Sequence, residues 1–427
     1  MDTDVTNRGG EDLDLHQVLR EGSALRLEGR ARLFGEVRRG LGERGENLYL
    51  RCISSPADRE VQVLDPATGA SRPMLMFGSN NYLGFANDPY VREQARRAID
   101  RFGAGLGGPP LLNGHTTLHR ALEGRLAGLK RAEDALLFPS GFAANVGLLG
   151  GLVRRGDAVL ADAYSHASTA DGIKLSGARP QHFPHNDLDR LASLLERYRG
   201  PRAHDVFVCV EGVYSMDGDL APLDRLAPLC RARDAILLLD DAHGTGVLGP
   251  GGRGTAARFG VEQDVPLTMG TFSKAFAGTG GFIAGPKPVV DYLRFFARTY
   301  MFSASLPPVA IATVHAGLDL LEREPERLRG LHDNVAYAAA RLRAAGFEVH
   351  PQAAIIPLLA PPGMDLRRAA KAFHRRGLFV NAVEYPAVPR HQQRFRVSVM
   401  ATHTRADLDR LATAAAEVFA ESRGELT

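Results

Sequence analysis

Between about residues 85 and 300, short apolar runs alternate with longer segments that have the periodicity of amphipathic helices. Continuous apolar strands that alternate with helices indicate a mainly parallel sheet with helices on both faces. No other feature restricts the possible folds as strongly. The predicted strands are ALLF at 135, AVLA at 158, VFVCV at 206, AILLL at 235, PLTMG at 266 and GFIAG at 281.

The two ends of the chain have a different pattern. Residues 13–45 carry leucines at helical spacing, and short strand-like pieces (LYLR, VQVL, MLMF) follow between Leu48 and Phe77. After Pro307, an amphipathic stretch to about residue 345 precedes a second α+β region. A chain of 427 residues is also too long for one ordinary core. We therefore predict an N-terminal arm with part of a small domain (1–75), a large α/β domain (76–310) and a C-terminal small α+β domain (311–427).

Composition excludes several classes of protein. The net charge of +3 is small and argues against a dedicated nucleic-acid binder. Cys52, Cys209 and Cys230 are scattered without disulfide or metal-ligand spacing, so we expect no metal site and a reducing cytoplasm. The first residues are acidic and polar, unlike a signal peptide, and residues 1–12 are expected to be disordered. No apolar run approaches the roughly 18 residues of a membrane span.

The run AILLLDDAHGTG places Asp240 directly after a predicted buried strand, with His243 three positions later. In open α/β sheets, ligands bind at the carboxyl ends of the strands. An aspartate there can simply cap the next turn. It can also keep a pyridinium nitrogen charged, since a nearby anion stabilises the protonated ring. That is what an electron-sink cofactor requires.

The run LTMGTFSKAFAGTGG places Lys274 after another predicted strand, among small residues. Partial desolvation there would lower the pKa of the amine and favour the neutral, imine-forming state. The other lysines have ordinary positions: Lys130 ends a charged helix, and Lys174, Lys287 and Lys371 lie in turns or on a helix. Lys274 is therefore the candidate nucleophile, and the hydroxyls of the neighbouring Thr271 and Ser273 could bind a phosphate.

Three more segments follow predicted strands. FPSGFAAN, with Ser140, Gly141 and Phe142, is a turn followed by a helix start, where free backbone N–H groups attract anions. DAYSHAS contains His166, which could stack on an aromatic ring. The third is EGVYSMDGD, with Glu211 and Ser215. Each of the three segments alone is also compatible with an ordinary turn or helix cap.

Together these segments resemble the α-oxoamine synthases, a branch of the pyridoxal 5'-phosphate (PLP)-dependent fold-type-I enzymes. The resemblance extends from about Leu48 to His403 and also includes FGSNNYLGF, LLNG…LHRALE, MFSASLPP and RFRVSVMATHT. It implies a large domain with a mainly parallel seven-stranded sheet, a smaller α+β domain, and a homodimer with active sites at the subunit interface.

The resemblance also implies roles for individual residues. Lys274 would be the Schiff-base lysine and proton-transfer base, Asp240 would pair with the pyridine nitrogen, His166 would stack on the ring, and His243 and Ser215 would bind the ring hydroxyl. Gly141, Phe142 and Thr271 would bind the phosphate, together with Ser303 across the dimer interface. Asn80 would line the substrate side, and Arg396 would bind the amino acid carboxylate, for which its planar fork is suited.

The family's reaction is a decarboxylative Claisen-type condensation of an amino acid with an acyl thioester, which gives an α-amino ketone and CO2. Coenzyme A and an acyl carrier protein both remain open as the acyl carrier, and the amino acid and acyl group are not defined. Many relatives have Ser-Arg where this chain has Pro109-Pro110. This difference predicts either a changed acyl pocket or a neutral variation.

Two other functions remain compatible with the shared core. One is a different PLP reaction on the same fold, such as transamination or retro-aldol cleavage; the motifs NNYLG, EGVYSMDGD and DDAHGTG favour the synthase. The other is a non-catalytic subunit with the PLP fold. Relatives of that kind lack the lysine, whereas Lys274 is present here.

Overall fold

The structure is a computed structural model that describes residues 15–65, 68–198 and 205–423. The predicted disorder of residues 1–12 lies outside the described residues. The N-terminal part begins with two helices and continues as an antiparallel hairpin, in agreement with the helical and strand-like patterns of the sequence. Its elements are α1 (Leu15–Gly22), α2 (Leu27–Glu43), β1 (Cys52–Ile53), β2 (Glu60–Leu64) and β3 (Ser71–Met76).

The predicted strand at LYLR is wrong. Residues 48–51 form a turn rather than a strand. Leu50 has a φ of 57°, in the left-handed region, and its side chain is 90% exposed. An apolar side chain stabilises a strand only by packing on a covered face, and Leu50 has none.

The central sheet has seven strands in the order β4-β10-β9-β8-β7-β5-β6. β10 runs antiparallel to both of its neighbours, and the other pairs are parallel. All six apolar runs form strands, which confirms the predicted α/β fold. The strands are β4 (Asp134–Phe138), β5 (Ala158–Asp162), β6 (Arg179–Phe183), β7 (Val206–Glu211), β8 (Ile236–Asp240), β9 (Leu267–Thr271) and β10 (Gly281–Gly285).

The edge strand β6 has no apolar run in the sequence. Its residues RPQHF are mostly exposed, and only Phe183 is buried. An edge strand pairs on one side alone and need not be covered by helices, so its composition gives little signal.

Helices cover the sheet on both faces, and their apolar sides contribute to three buried clusters that include residues of its strands. They are α3 (Pro89–Phe102), α4 (Thr117–Lys130), α5 (Gly141–Leu152), α6 (Ala167–Ser176), α7 (Leu188–Arg197), α8 (Leu223–Ala232), α9 (Thr255–Phe259), α10 (Lys287–Phe296) and α11 (Arg298–Met301), with short 3-10 turns at Phe85–Asn87, Pro250–Gly252 and Glu262–Asp264.

The C-terminal part begins with a long helical stretch that Pro325 divides in two, since a proline is tolerated at the start of a helix but not within it. A three-stranded sheet in the order β11-β14-β13 follows. The elements are α12 (Pro308–Arg323), α13 (Pro325–Ala344), β11 (Ile355–Leu359), α14 (Leu366–Arg375), β12 (Leu378–Phe379), β13 (Asn381–Val383), a 3-10 turn at Arg390–Gln392, β14 (Arg394–Ser398) and α15 (Arg405–Arg423).

The two chain ends meet in one small sheet. β12 pairs in parallel with β3, so a C-terminal strand completes the N-terminal sheet. The strands of the central sheet lie between residues 134 and 285. The domain boundaries at residues 75 and 310 stay a prediction. Within the described ranges, no helix is both long enough and apolar enough to cross a membrane.

Candidate active site

A cavity of about 280 Å³ lies where several strands of the central sheet end. It brings together eleven of the residues that the sequence singled out, from segments up to 134 positions apart. Those eleven are Ser140, Gly141, Phe142, His166, Glu211, Ser215, Asp240, His243, Thr271, Ser273 and Lys274, and the lining also contains Asn145, Ser168, Ala242 and Met269.

Lys274 lies three residues beyond the end of β9. Burial lowers the pKa of its amine to about 8, although the charges of Asp240 and Glu211 act in the opposite direction. At pH 7 about one such amine in ten is neutral, a far larger share than for a lysine in water. The setting therefore supplies a usable nucleophile and base near neutral pH.

Glu211 ends β7 and is 4% exposed. Burial, and next the charge of Asp240, raise the pKa of its carboxyl well above the usual range. Its Oε1 atom has no hydrogen-bond partner within the described part of the chain. A buried polar atom without a partner, in the wall of a cavity, is a position that a polar ligand would satisfy.

Asp240 ends β8, and two donors hold its carboxylate. The backbone N–H of Ala242 donates to Oδ1 at 3.0 Å, and the side-chain amide of Asn145 donates to Oδ2 at 2.7 Å. Asn145 lies in the segment FPSGFAAN, but no pattern in the sequence indicates a role for it. Its contact with Asp240 depends on how α5 packs across the strand ends.

His243 is buried, and the hydroxyl of Tyr82 lies 2.8 Å from its Nδ1. Burial, and then the positive charges of Lys274 and Arg396, hold the pKa of His243 well below its usual range. A neutral His243 that accepts a hydrogen bond from the Tyr82 hydroxyl at Nδ1 carries its own proton on Nε2, from which it can donate. Tyr82 was part of the NNYLG motif, without an assigned role.

Arg396 and Asn80 do not line the cavity but lie directly behind it. Arg396 donates from Nε to the Ser215 carbonyl at 2.5 Å and from Nη1 to the Asn80 amide oxygen at 3.0 Å. Its Nη2 lies 3.4 Å from the Tyr82 hydroxyl. A substrate carboxylate would therefore bind to Nη2 of Arg396, or it would take the place of the Asn80 amide oxygen at Nη1.

The phosphate-binding prediction concerns the first turn of α5. Ser140 caps this helix, and its hydroxyl accepts the Ala143 N–H at 3.0 Å. The N–H groups of Gly141 and Phe142 occupy the first two helical positions, which have no partner within a helix. A Cβ at Gly141 would lie 3.0 Å from the Thr271 side chain, so glycine permits this close approach.

Ser303 is not brought to the cavity. It is half-buried in the segment that follows α11. Pro109-Pro110 also does not line the cavity; Pro110 faces a separate small cavity with His115 and Glu123. The predicted role of Ser303 requires a second copy of the chain and stays a prediction.

His185 is a further polar residue near the site, which the sequence did not indicate. Its Nδ1 lies 3.0 Å from Asp162 and its Nε2 lies 2.8 Å from Asp219. Carboxylates only accept hydrogen bonds, so both ring nitrogens carry protons. The ring also stacks on Tyr164 at 4.3 Å. His185 thus joins the loop after β5, which carries His166, to the hairpin that carries Ser215.

We expect this contact to make stability depend on pH. Burial alone would lower the pKa of His185, but the hydrogen bonds to Asp162 and Asp219 raise it to about 9. Because the pKa is higher in the folded protein, the stabilisation is complete below about pH 6.5 and is lost as the pH rises through about 9. The cofactor-free His185→Gln variant should therefore unfold at a lower temperature than wild type at pH 7, and the difference should shrink by pH 10.

Other groups that titrate in this interval, such as Lys274, change the unfolding temperature of both proteins alike. The difference between the two unfolding temperatures at each pH therefore isolates His185. A difference in unfolding temperature that stays the same from pH 7 to pH 10 would contradict the charged state of His185.

The residues present fit PLP. The cavity offers an amine of lowered pKa, a carboxylate for a ring nitrogen, a histidine for the ring face, and hydroxyls beside a helix N-terminus for a phosphate. The unpartnered Oε1 of Glu211 and the close approach at Gly141 are the features that a bound group would use.

Comparison with known sequences gives the same class. The profile of the aminotransferase class I and II family matches residues 72–414. The 8-amino-7-oxononanoate synthase of Geobacter sulfurreducens is 40% identical over 394 residues, which cover 91% of this chain and 98% of the relative. The serine palmitoyltransferase of Sphingobacterium spiritivorum is 37% identical over 386 residues, covering 90% and 95%.

Solved structures agree with the sequence comparison. The Sphingomonas wittichii serine palmitoyltransferase superposes with a TM-score of 0.87 at 31% identity, covering 95% of this chain and all of that one. A high-resolution structure of SPT with PLP also gives a TM-score of 0.87, at 29% identity and 94% coverage of this chain.

The chain therefore belongs to the aminotransferase class I and II family, and its fold is that of the PLP-dependent enzymes. Within this family it is an α-oxoamine synthase, a PLP-dependent C-acyltransferase that condenses an amino acid with an acyl thioester. The predicted fold, cofactor and reaction class are confirmed. The roles of the individual site residues stay predictions.

Proposed function

We propose that this enzyme joins an amino acid as small as glycine, alanine or serine to an acyl thioester, with Lys274 as the proton-transfer base. The observation that carries the proposal is one cavity lined by Lys274, with a pKa of about 8, and by Asp240. Among the similar proteins, the serine palmitoyltransferases are named for one such small amino acid, serine.

The bound cofactor supplies a ring that withdraws the negative charge developing at the α-carbon. The Asp240 carboxylate serves as the counter-charge of that ring, with both of its oxygens held by donors. The neutral amine of Lys274 removes the α-proton of the amino acid. The α-carbon then bonds to the acyl carbon as the carbon–sulfur bond breaks, and the acyl carrier leaves as a thiol with the proton that Lys274 removed. Arg396 binds the amino acid carboxylate until it leaves as CO2, and a proton from solvent replaces it at the α-carbon.

His166 is the proposed polariser of the thioester carbonyl, with His243 as the alternative. The Nδ1 of His166 receives the N–H of Ser168 at 3.2 Å, so its ring proton is on Nε2. His243 is already engaged with Tyr82 through Nδ1. A donor aimed at an oxygen that gains charge stabilises the transition state more than the ground state.

A second cleft, of about 430 Å³, adjoins the cavity at Ser215. We propose that it holds the acyl chain. Its lining mixes apolar and aromatic side chains with a few polar ones, as suits an apolar chain that ends in a polar group. The lining includes Tyr164, Met216, Asp217, Tyr385, Val388 and Gln392.

We further propose a homodimer with sites at the subunit interface. Large apolar side chains are exposed in the single chain: Phe142 in the cavity wall at 46%, Phe302 at 72% and Leu112 at 81%. A partner subunit that covers them would also bring Ser303 towards a neighbouring site. Burying such side chains is a main stabilising contribution at permanent interfaces.

The enzyme is also proposed to act in the cytoplasm. Cys52, Cys209 and Cys230 are free thiols, and Cys52 is exposed. Exposed free thiols persist in a reducing compartment.

The proposed function is tested by a CO2-release assay in which glycine, alanine and serine are paired with acyl thioesters of increasing chain length, carried by coenzyme A or by an acyl carrier protein. We expect CO2 release to require both substrates. CO2 release from an amino acid without a thioester, or amino-group transfer to a keto acid at a comparable rate, would contradict it.

Arg396→Lys should raise the KM for the amino acid by about 10- to 100-fold, since a charged hydrogen-bonded pair contributes ~1.5–3 kcal/mol and lysine lacks the planar fork. The KM for the thioester should change little. Arg327→Lys is the matched control, because Arg327 is also partly buried and paired, but with Asp88 away from the cavity. Equal effects of Arg396→Lys on both KM values would exclude the carboxylate role.

A further inference from the structure

Asn145 connects two of the proposed catalytic groups. Its amide nitrogen lies 2.7 Å from Oδ2 of Asp240 and 2.9 Å from Oγ of Ser168. The same Ser168 hydroxyl lies 2.7 Å from Nδ1 of His166. Asn145 and Ser168 are 4% and 1% exposed. A buried chain of three hydrogen bonds thus runs from the Asp240 carboxylate to the His166 ring.

The direction of each bond follows from the chemistry of its ends. A carboxylate can only accept, so the NH2 end of the Asn145 amide faces Asp240. The second amide hydrogen is donated to the Ser168 oxygen, which leaves the hydroxyl hydrogen for His166. The backbone N–H of Ser168 points at the same Nδ1 atom at 3.2 Å. Nδ1 is therefore an acceptor, the His166 proton is on Nε2, and the Ser168 hydroxyl donates the shorter of the two hydrogen bonds that hold the ring.

We propose that Asn145 is a positioning residue that couples Asp240 to His166 through Ser168. This inference rests on the proposed function, which gives Asp240 and His166 their roles. Asn145 fixes the orientation of the carboxylate that faces the cofactor nitrogen, and by donating to the Ser168 oxygen it directs the hydroxyl hydrogen to Nδ1 of His166. The Asn145 amide thus holds Asp240, which would pair with the cofactor ring, and through Ser168 it holds His166, which would contact the thioester.

The first test measures PLP affinity by equilibrium dialysis and by the absorbance of the bound cofactor. Asn145→Ala should raise the Kd for PLP about tenfold, the effect of losing one hydrogen bond to a charged group. In an Asp240→Asn background the same substitution should change the Kd by less than about twofold, because residues that act through one another are not additive. Equal fold-changes in both backgrounds would overturn the coupling.

Ser168→Ala separates the two arms of the chain. It should leave the Kd for PLP within about twofold of wild type but lower kcat/KM for the thioester about tenfold and shift its pH profile, since Nδ1 of His166 loses the shorter of the two hydrogen bonds that it accepts. Thr299→Ala is the control. Thr299, on α11, donates a hydrogen bond to the Ala143 carbonyl of α5, the helix that carries Asn145. It does not touch Asp240, so PLP affinity and spectrum should not change. An unchanged thioester pH profile in Ser168→Ala would overturn the His166 arm.

A second pair of variants covers the case in which Asn145→Ala does not fold. Asn145→Asp keeps the shape but sets two carboxylates against each other, so the cofactor-free protein should melt at a lower temperature. The double variant Asn145→Asp with Asp240→Asn exchanges amide and carboxylate and should recover that melting temperature. Failure to recover would mean that the two side chains are not bonded. If Asp240→Asn alone leaves turnover unchanged, the role proposed for Asp240 in the reaction fails instead, whatever the double variants do.

Discussion

Lys274→Ala is expected to reduce turnover by roughly 10²–10⁴-fold or more, because the variant lacks the proposed proton-transfer base. The cavity should still bind PLP non-covalently, since the groups proposed for the phosphate and ring remain. The measurement combines kcat for CO2 release with the visible spectrum, in which the covalent lysine band should disappear. The loss should be almost entirely in kcat.

Lys174→Ala is the control for that result, because Lys174 is an exposed lysine on α6, away from the cavity. It should retain wild-type turnover and spectrum. If Lys274→Ala turned over at the wild-type rate, another amine would have to be the base, and the assignment of this lysine would be wrong.

Asp240→Asn is expected to lower kcat by roughly 10²–10³-fold, about 3–4 kcal/mol of transition-state stabilisation. The substitution keeps the size of the side chain but removes the charge that keeps the cofactor ring protonated. The KM for the amino acid should change much less, since Arg396 remains. Stopped-flow measurement of α-proton exchange in deuterated solvent would locate the defect in the proton-abstraction step. A near-normal exchange rate would show that some other group protonates the ring.

The neighbouring Asp241→Asn is the informative contrast. Asp241 is 1% exposed and lies 2.7 Å from Lys130, and it also accepts hydrogen bonds from Thr245 and Thr255. Removing its charge would leave a buried ammonium group without its partner, at a cost of ~3–5 kcal/mol in the free energy of unfolding. Adjacent aspartates should therefore have opposite phenotypes: Asp240→Asn impairs catalysis, and Asp241→Asn impairs stability.

Lys130 shows what the sequence could not decide. The sequence places it at the end of a charged helix, and the helix does end there, but the side chain is 5% exposed and paired with Asp241. The pair joins residues 111 positions apart. No local pattern reveals a partner at that distance. The same limit hid Asn145, whose neighbours in the chain are apolar or small.

The sequence predicted the site best where chemistry is tied to a strand end. Lys274 and Asp240 follow strands whose apolar runs are visible in the sequence, and parallel strands bring their carboxyl ends to one edge. Their entry into one cavity follows from that topology. His185 was missed because its two carboxylates come from the end of β5 and from a separate hairpin.

The sequence by itself determined the α/β class and which side chains lie near the ligand edge, because both depend on local features: apolar runs, helical periodicity and the residue that follows each strand. Only the tertiary structure decided which polar groups bond to one another, as in Asn145 with Asp240 or Tyr82 with His243. Such contacts form or fail on differences of a few tenths of an ångström in the separation of segments far apart in the chain. How the helices pack on the sheet sets that separation.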